Sequence, residues 1–373
     1  MNTLIILGSI ILAGVIIFQI ARINDMMKIV RGQDPMYEER VYTRQAAYIV
    51  VFFVIFLILT LWSAYHLRNS MFGYGPLKSA SLHGFKTDHL FNIITAVTGV
   101  VFVLTHILLF YFSWKYRYRN NRKPLFIHEN NKLEIIWTAV PAAFMLYLIF
   151  SSIILFNNVM EDVTPKDNHL EIEATGMQFA WVIRYPGKDN KLGARDYKLI
   201  TGDNSLGQDW HDPKNWDDII PDEIVLPKGR KVKVRIGSRD VLHSFFLPHF
   251  RVKMDAVPGT PTSFIFTPSI TTAEFRNNLR KYPEWNVPAD PKDPGGKKKW
   301  ETFNFELACA ELCGNSHFSM RKVVKVVTEK EYKAWLRTQQ SYYIASIKGT
   351  DSDPMRNPQD STTSNTAPVD SAK

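Results

Sequence analysis

Lys231-Val-Lys-Val-Arg-Ile236 places an apolar residue at every second position, the period of a β-strand with one buried face. Four other runs read as strands too: Leu170-Glu-Ile-Glu-Ala174, Phe179-Ala-Trp-Val-Ile-Arg-Tyr185, Thr262-Ser-Phe-Ile-Phe-Thr267 and Arg321-Lys-Val-Val-Lys-Val-Val327. Pro227-Lys-Gly229 and Pro258-Gly259 supply turn residues between them. Many short strands punctuated in this way predict a Greek-key sandwich or barrel. Residues 329–346 read as a short amphipathic helix after the last strand. Residues 349–373 are rich in Ser, Thr, Asp and Pro with almost no apolar content, which predicts a disordered tail.

Working back from the strands, the composition changes sharply near residue 157. Four stretches upstream are apolar enough to span a bilayer: 4–20, 46–65, 91–114 and 135–156. Each approaches the ~20 residues that cross a ~30 Å hydrocarbon core. The first is the shortest, but no basic segment precedes it and no small-residue cleavage site follows it. It reads as a retained helix rather than a signal peptide. The 373-residue chain carries a formal charge of +9. Residues 1–156 hold 14 Lys/Arg against 7 Asp/Glu, and the remainder holds 31 against 29. The basic excess sits in loops flanking the membrane segments, so nucleic-acid binding is a poor reading of it.

The loops also orient the chain. Arg22, Lys28, Arg31, Arg40 and Arg44 follow the first helix, and Lys115, Arg117, Arg119, Arg122, Lys123 and Lys132 follow the third. The loop between the second and third has only Arg68, Lys78 and Lys86. The excess of positive charge places the two rich loops in the cytoplasm. Both termini and the strand-rich half then face the other side, which is the periplasm if the host is a Gram-negative bacterium. His106 falls inside the third helix, where a neutral, hydrogen-bonded imidazole is expected.

Between the predicted strands lies Cys309-Ala-Glu-Leu-Cys313-Gly-Asn-Ser-His317-Phe-Ser-Met320, which holds the only two cysteines of the chain. Two thiolates and an imidazole suit copper or zinc, and a thioether tilts the choice toward copper. A small disulfide or a zinc half-site leaves the His and Met steps unexplained. One ion held by Cys, Cys, His and Met and two ions bridged by the thiolates both remain open. For a pair, His243 in Asp240-Val-Leu-His243-Ser is the candidate second imidazole.

With these residues in hand, the chain resembles subunit II of a haem-copper cytochrome c oxidase. The resemblance covers about residues 91–346. It rests on Leu133-Glu-Ile-Ile-Trp-Thr-Ala-Val-Pro141, on Asp240-Val-Leu-His-Ser-Phe245 followed by Lys253-Met-Asp-Ala-Val-Pro-Gly259, and on the Cys309–Met320 run. It implies a two-helix membrane hairpin at 71–160 and a cupredoxin-like Greek-key β-barrel at 161–348. The extra hairpin at 1–70 is additional to the family plan. The resemblance further implies the binuclear copper centre CuA, with Cys309 and Cys313 bridging two coppers. His243 and His317 each cap one metal, and Met320 and the carbonyl of Glu311 are weak axial ligands. The Glu311 carboxylate would reach a magnesium or manganese ion shared with subunit I, a hard ligand for a hard ion. Glu134 would stand at the mouth of a proton-uptake channel, although an acid in the first turn of a helix is also favoured by the macrodipole.

The family's aromatic cluster, where electrons arrive from cytochrome c, corresponds to Gln178-Phe179-Ala180-Trp181. Phe179 and Ala180 replace family aromatics there, and Trp181 reads more readily as core than as a conduit. Residues 276–302 look like an insertion, by default a surface excursion and in a second reading a docking element for a dedicated donor complex. No Cys-x-x-Cys-His occurs, which excludes a fused c-type haem. The electron must come in trans, from a separate c-type cytochrome or a haem subunit of a larger assembly. Expected partners are subunits I and III and membrane lipid. Three other readings are a quinol oxidase subunit II, which lacks copper ligands, a stand-alone membrane-tethered copper protein, and a nitrous-oxide reductase type electron-transfer domain.

Overall fold

The computed structural model describes residues 2–30, 36–69, 76–123, 125–126, 128–160, 162–164, 167–350 and 352–356. The chain divides into two compact units, Met1–Leu67 with Ile94–Ala139 and Arg68–Ile93 with Val140–Lys373. Four long helices come first: α1 (Asn2–Val30), α2 (Tyr37–Leu67), α3 (Leu82–Lys115) and α4 (Asn131–Met160). Among the described residues, α2, α3 and α4 are long and apolar enough to cross a membrane, and the apolar stretch of α1 is Ile11–Asn24. In the first unit α2 and α3 meet through aromatic rings, with Phe53 stacked on Phe110 at 4.4 Å and Phe56 on His106 at 5.8 Å. His106 Nδ1 lies 2.7 Å from the Phe102 carbonyl one turn back, so its polarity is met within its own helix.

The second unit is built on nine strands: β1 (His169–Met177), β2 (Ala180–Arg184), β3 (Ile224–Pro227), β4 (Lys231–Ser238), β5 (His243–Leu247), β6 (Val252–Ala256), β7 (Thr262–Phe266), β8 (Phe305–Cys309) and β9 (Arg321–Val327). They form a four-stranded sheet in the order β2-β1-β4-β7 and a five-stranded sheet in the order β3-β9-β8-β5-β6. The β1–β4 and β3–β9 pairs are parallel and the other pairs antiparallel. Leu170 and Ile172, Val232 and Val234, Phe305 and Leu307, and Val324 and Val326 alternate inward from the two sheets into one apolar core. Each such side chain contributes roughly 1.5–3 kcal/mol by leaving water.

All five strands expected from alternation are present. Four were not anticipated, among them β5 and β8, which carry the site. The excursion expected at 276–302 begins as part of the fold. Helix α5 (Thr272–Leu279) is closed by a Thr271–Glu274 capping box and buries Phe275 and Leu279 in the core. Only the later stretch, ending in α6 (Lys299–Thr302), is largely exposed.

The helix expected at 329–346 stops early. Helix α7 spans Glu329–Thr338, Gln339 turns extended, and Tyr343–Ile347 forms a separate π turn. Packing decides this, because the turn lays Tyr343 and Ile347 against Trp210, a contact that a continuous helix would forgo. The chain stays folded past residue 349, where disorder was expected. Asp353 accepts from the Tyr343 hydroxyl at 2.6 Å and from the Gly349 N–H at 2.8 Å. Residues 357–373 of that tail lie outside the described residues.

The β-domain is joined tightly to the start of α3. The Ser81 hydroxyl donates to the Phe250 carbonyl at 2.6 Å, and the Leu82 N–H donates to Thr267. Arg251, in a left-handed conformation at φ 57°, grips the Asp88 carboxylate through Nε at 2.7 Å and Nη2 at 3.1 Å.

Candidate metal centre

His243 opens β5, and Cys309 closes β8. The antiparallel rung Phe245↔Cys309 places His243 two residues further along its strand, on the same face by the two-residue period of a strand. His243 Nδ1 consequently lies 3.9 Å from Cys309 Sγ. Beyond β8 the chain leaves the sheet and returns through a short 3₁₀ turn at His317–Ser319, with Met320 pinned by its carbonyl to the Cys309 N–H at 3.2 Å. That return brings Cys313 Sγ to 4.0 Å from Cys309 Sγ. The separation is about twice a sulfur–sulfur bond, and both cysteines are free, so the disulfide reading fails. The donor atoms of His243, Cys309 and Cys313 all lie within 4.8 Å of one another.

Each sulfur has its own partners. Cys309 Sγ faces His243 Nδ1 and, at 3.2 Å, the Glu311 carbonyl. Cys313 Sγ faces His317 Nδ1 at 3.5 Å and Met320 Sδ at 3.8 Å. Two sulfurs stand at the centre, with an imidazole on each and one weak donor apiece. Soft sulfur and imidazole in this number fit copper better than any hard cation. Burial, then the neighbouring Cys309, pushes the Cys313 thiol up to about 11, so metal binding must release protons.

Asp240 supports the histidine. Its Oδ1 lies 2.8 Å from His243 Nε2, which fixes the ring and leaves Nδ1 for the metal, the arrangement that metal-binding histidines commonly have. Burial works against the Asp240 carboxylate. Hydrogen bonds from the Gln178 N–H, from His243 and from the Val241 N–H nevertheless hold it below the usual carboxylate range. The signal was present as an acid three residues ahead of the histidine.

The remaining expected residues fall as follows. Trp181 is buried and meets the His243 ring edge-on at 6.0 Å, so it is core that also touches a metal-facing imidazole. Phe179 is half-buried, packed over Gly314. The Glu311 side chain is exposed. Glu134 lies in the first turn of α4, remote in sequence from the centre, with its carboxylate 3.5 Å from the Asn130 N–H. Leu312 and Phe318, which alternate with the metal-facing residues, are both more than three-quarters exposed.

Two family descriptions match this chain: the cytochrome c oxidase subunit II transmembrane domain over residues 73–155 and the periplasmic domain over residues 170–271. The alternative cytochrome c oxidase subunit 2 of Bradyrhizobium diazoefficiens is 33% identical over 260 residues, covering 68% of this chain and 80% of the relative. Cytochrome c oxidase subunit 2 of Cereibacter sphaeroides is 28% identical over 290 residues, covering 74% of this chain and 84% of the relative. The solved periplasmic domain of the Bradyrhizobium japonicum subunit II is 26% identical, covers 47% of this chain and 96% of that one, and aligns with a TM-score of 0.28. The chain belongs to the cytochrome c oxidase subunit II family. It is a membrane-anchored oxidoreductase subunit with a periplasmic domain, and its place in a haem-copper oxidase is to bring electrons in. The stand-alone and quinol-oxidase readings are not favoured.

Proposed function

We propose that this subunit accepts electrons from a c-type cytochrome at a binuclear copper centre and delivers them to the haem and copper of subunit I, where oxygen is reduced to water. Cys309, Cys313, His243, His317, Met320 and the Glu311 carbonyl would hold the copper ions. A copper pair held by these donors would supply a one-electron redox site. The protein's part is to hold six donors still. Strand ends fix His243 and Cys309, Asp240 fixes the imidazole, and the Met320–Cys309 backbone bond closes the loop. The observation that carries the reading is the pair of sulfurs 4.0 Å apart with separate imidazoles on either side.

The finer assignments follow from the family. Phe179 would receive the donor, with Trp181 behind it against His243. The Glu311 carboxylate, on the exposed side of the loop, would reach a magnesium or manganese ion shared with subunit I. Glu134 would sit at a proton-uptake mouth, a role its helix-start position shares with simple capping. The β-domain and both termini would face the periplasmic side of a bacterial inner membrane, with subunit III and a cytochrome-containing supercomplex as further partners.

Metal analysis and electron paramagnetic resonance of the full-length chain in detergent test the core of this. Two coppers per chain sharing one unpaired electron are expected. One localised Cu(II), or zinc in its place, would overturn the assignment.

A further inference from the structure

We propose that Gln178 is a positioning residue that braces the two ligand-bearing loops against each other from a third element, the turn between β1 and β2. Its backbone N–H donates to Asp240 Oδ2 at 2.7 Å, while its side-chain Nε2 donates to the Cys313 carbonyl at 2.6 Å. The other oxygen of Asp240 holds His243 Nε2 at 2.8 Å. One residue thus links the backbone of the cysteine loop to the support of the histidine. The next residue closes the same contact. A Cβ at Gly314 would lie 2.9 Å from the Phe179 ring and 3.1 Å from Gln178 Nε2. Gly314 has φ +135°, a conformation that favours glycine, so ring and loop meet without a side chain between them.

The brace matters because the loop it grips is otherwise open. Between Glu311 and Asn315, residues 311, 312, 314 and 315 are exposed and Cys313 alone turns into the core, before the chain is tied down again at Met320. A loop with so little burial is free to open locally at small cost. The Gln178 bonds hold Cys313 and His243 at their spacing before a metal is bound, which is preorganisation in the ordinary sense. The bracing stands on the geometry alone, whereas its consequence for copper rests on the function proposed above.

Two substitutions in the full-length chain test it. Gln178→Met keeps the side-chain length and removes the donor, and Gln178→Glu turns a carboxylate toward the Cys313 carbonyl. In copper-stripped protein, Cys309 and Cys313 should react with a thiol reagent about fivefold faster in both variants, the loss of one ordinary hydrogen bond. The exposed neighbour substitution Ala180→Ser should react as the parent does. After copper loading, both variants should release copper about fivefold faster with shifted absorption bands. Unchanged thiol reactivity in both variants overturns the bracing. Faster thiol reaction in a chain that never takes up a copper pair would sustain the brace and sink the copper reading, so the two failures are separable.

Discussion

His249 shows how a single residue can tie stability to pH in this domain. Its ring is packed against Phe303 at 5.1 Å, Phe305 at 5.5 Å and Phe275 at 5.7 Å, and its Nδ1 has no hydrogen-bond partner. Burial among these rings, then the nearby Arg251 charge, lowers its pKa to about 4. In the unfolded chain the imidazole titrates near the ordinary ~6.5. Between those values the unfolded state binds the proton and the folded state does not, so stability rises with pH across the window. The contribution is complete above about 6.5, is lost progressively as the pH falls from there, and is gone below about 4. Between pH 7 and pH 4.5 the copper-stripped chain should lose about 2–3 kcal/mol through this residue. His249→Phe should melt with a shallower pH dependence over that range, and an unchanged slope would remove His249 from the account.

At the scale of elements, the segment between β7 and β8 divides into a part that the core needs and a part that it does not. Phe275 is fully buried, and Arg276 ties α5 to β8's approach through the Phe303 carbonyl at 2.6 Å and Asn304 Oδ1 at 2.9 Å. Phe275→Ala should cost about 3–5 kcal/mol, as large-to-small core changes do. Residues 289–297 leave and return at one point, since the Lys299 N–H donates to the Val287 carbonyl at 3.0 Å. Replacing them with two glycines should leave copper content and the melting midpoint unchanged, because a short exposed loop costs little to close. A loss of either would show that the excursion is structural throughout. The same contrast explains what the sequence made legible. β1, β4 and β9 bury alternate residues against solvent and so announce themselves. β3 buries all four of its residues, and β5 buries four of its five, so neither has a polar face to produce a rhythm. The meeting of His243 with both cysteines was nonetheless readable from their motifs, because donor chemistry is written in residue identity. Asp240 and Gln178 were not, since their roles depend on which loops the sheet brings together.

For the whole molecule, the junction near residue 81 governs how the β-domain is carried. Asp88 and Arg251 form a bidentate pair, and Ser81 and Leu82 bond to the barrel on both sides of the helix start. Charge-assisted bonds of this kind contribute about 1.5–3 kcal/mol each. Asp88→Ala should raise hydrogen exchange at the amides of Ala80 and Leu82 while leaving those of β1 and β4 protected. Equal protection in the variant would mean the pair is incidental. The joint has no slack, and that sets a rule for its length. One residue inserted between Ser81 and Leu82 would part the Ser81 contact with Phe250 from the Leu82 contact with Thr267 and the Asp88 contact with Arg251, so the helix start could not keep all three at once. Lengthening here trades one set of grips for another, so the spacing between residues 81 and 88 is as fixed as the identity of either.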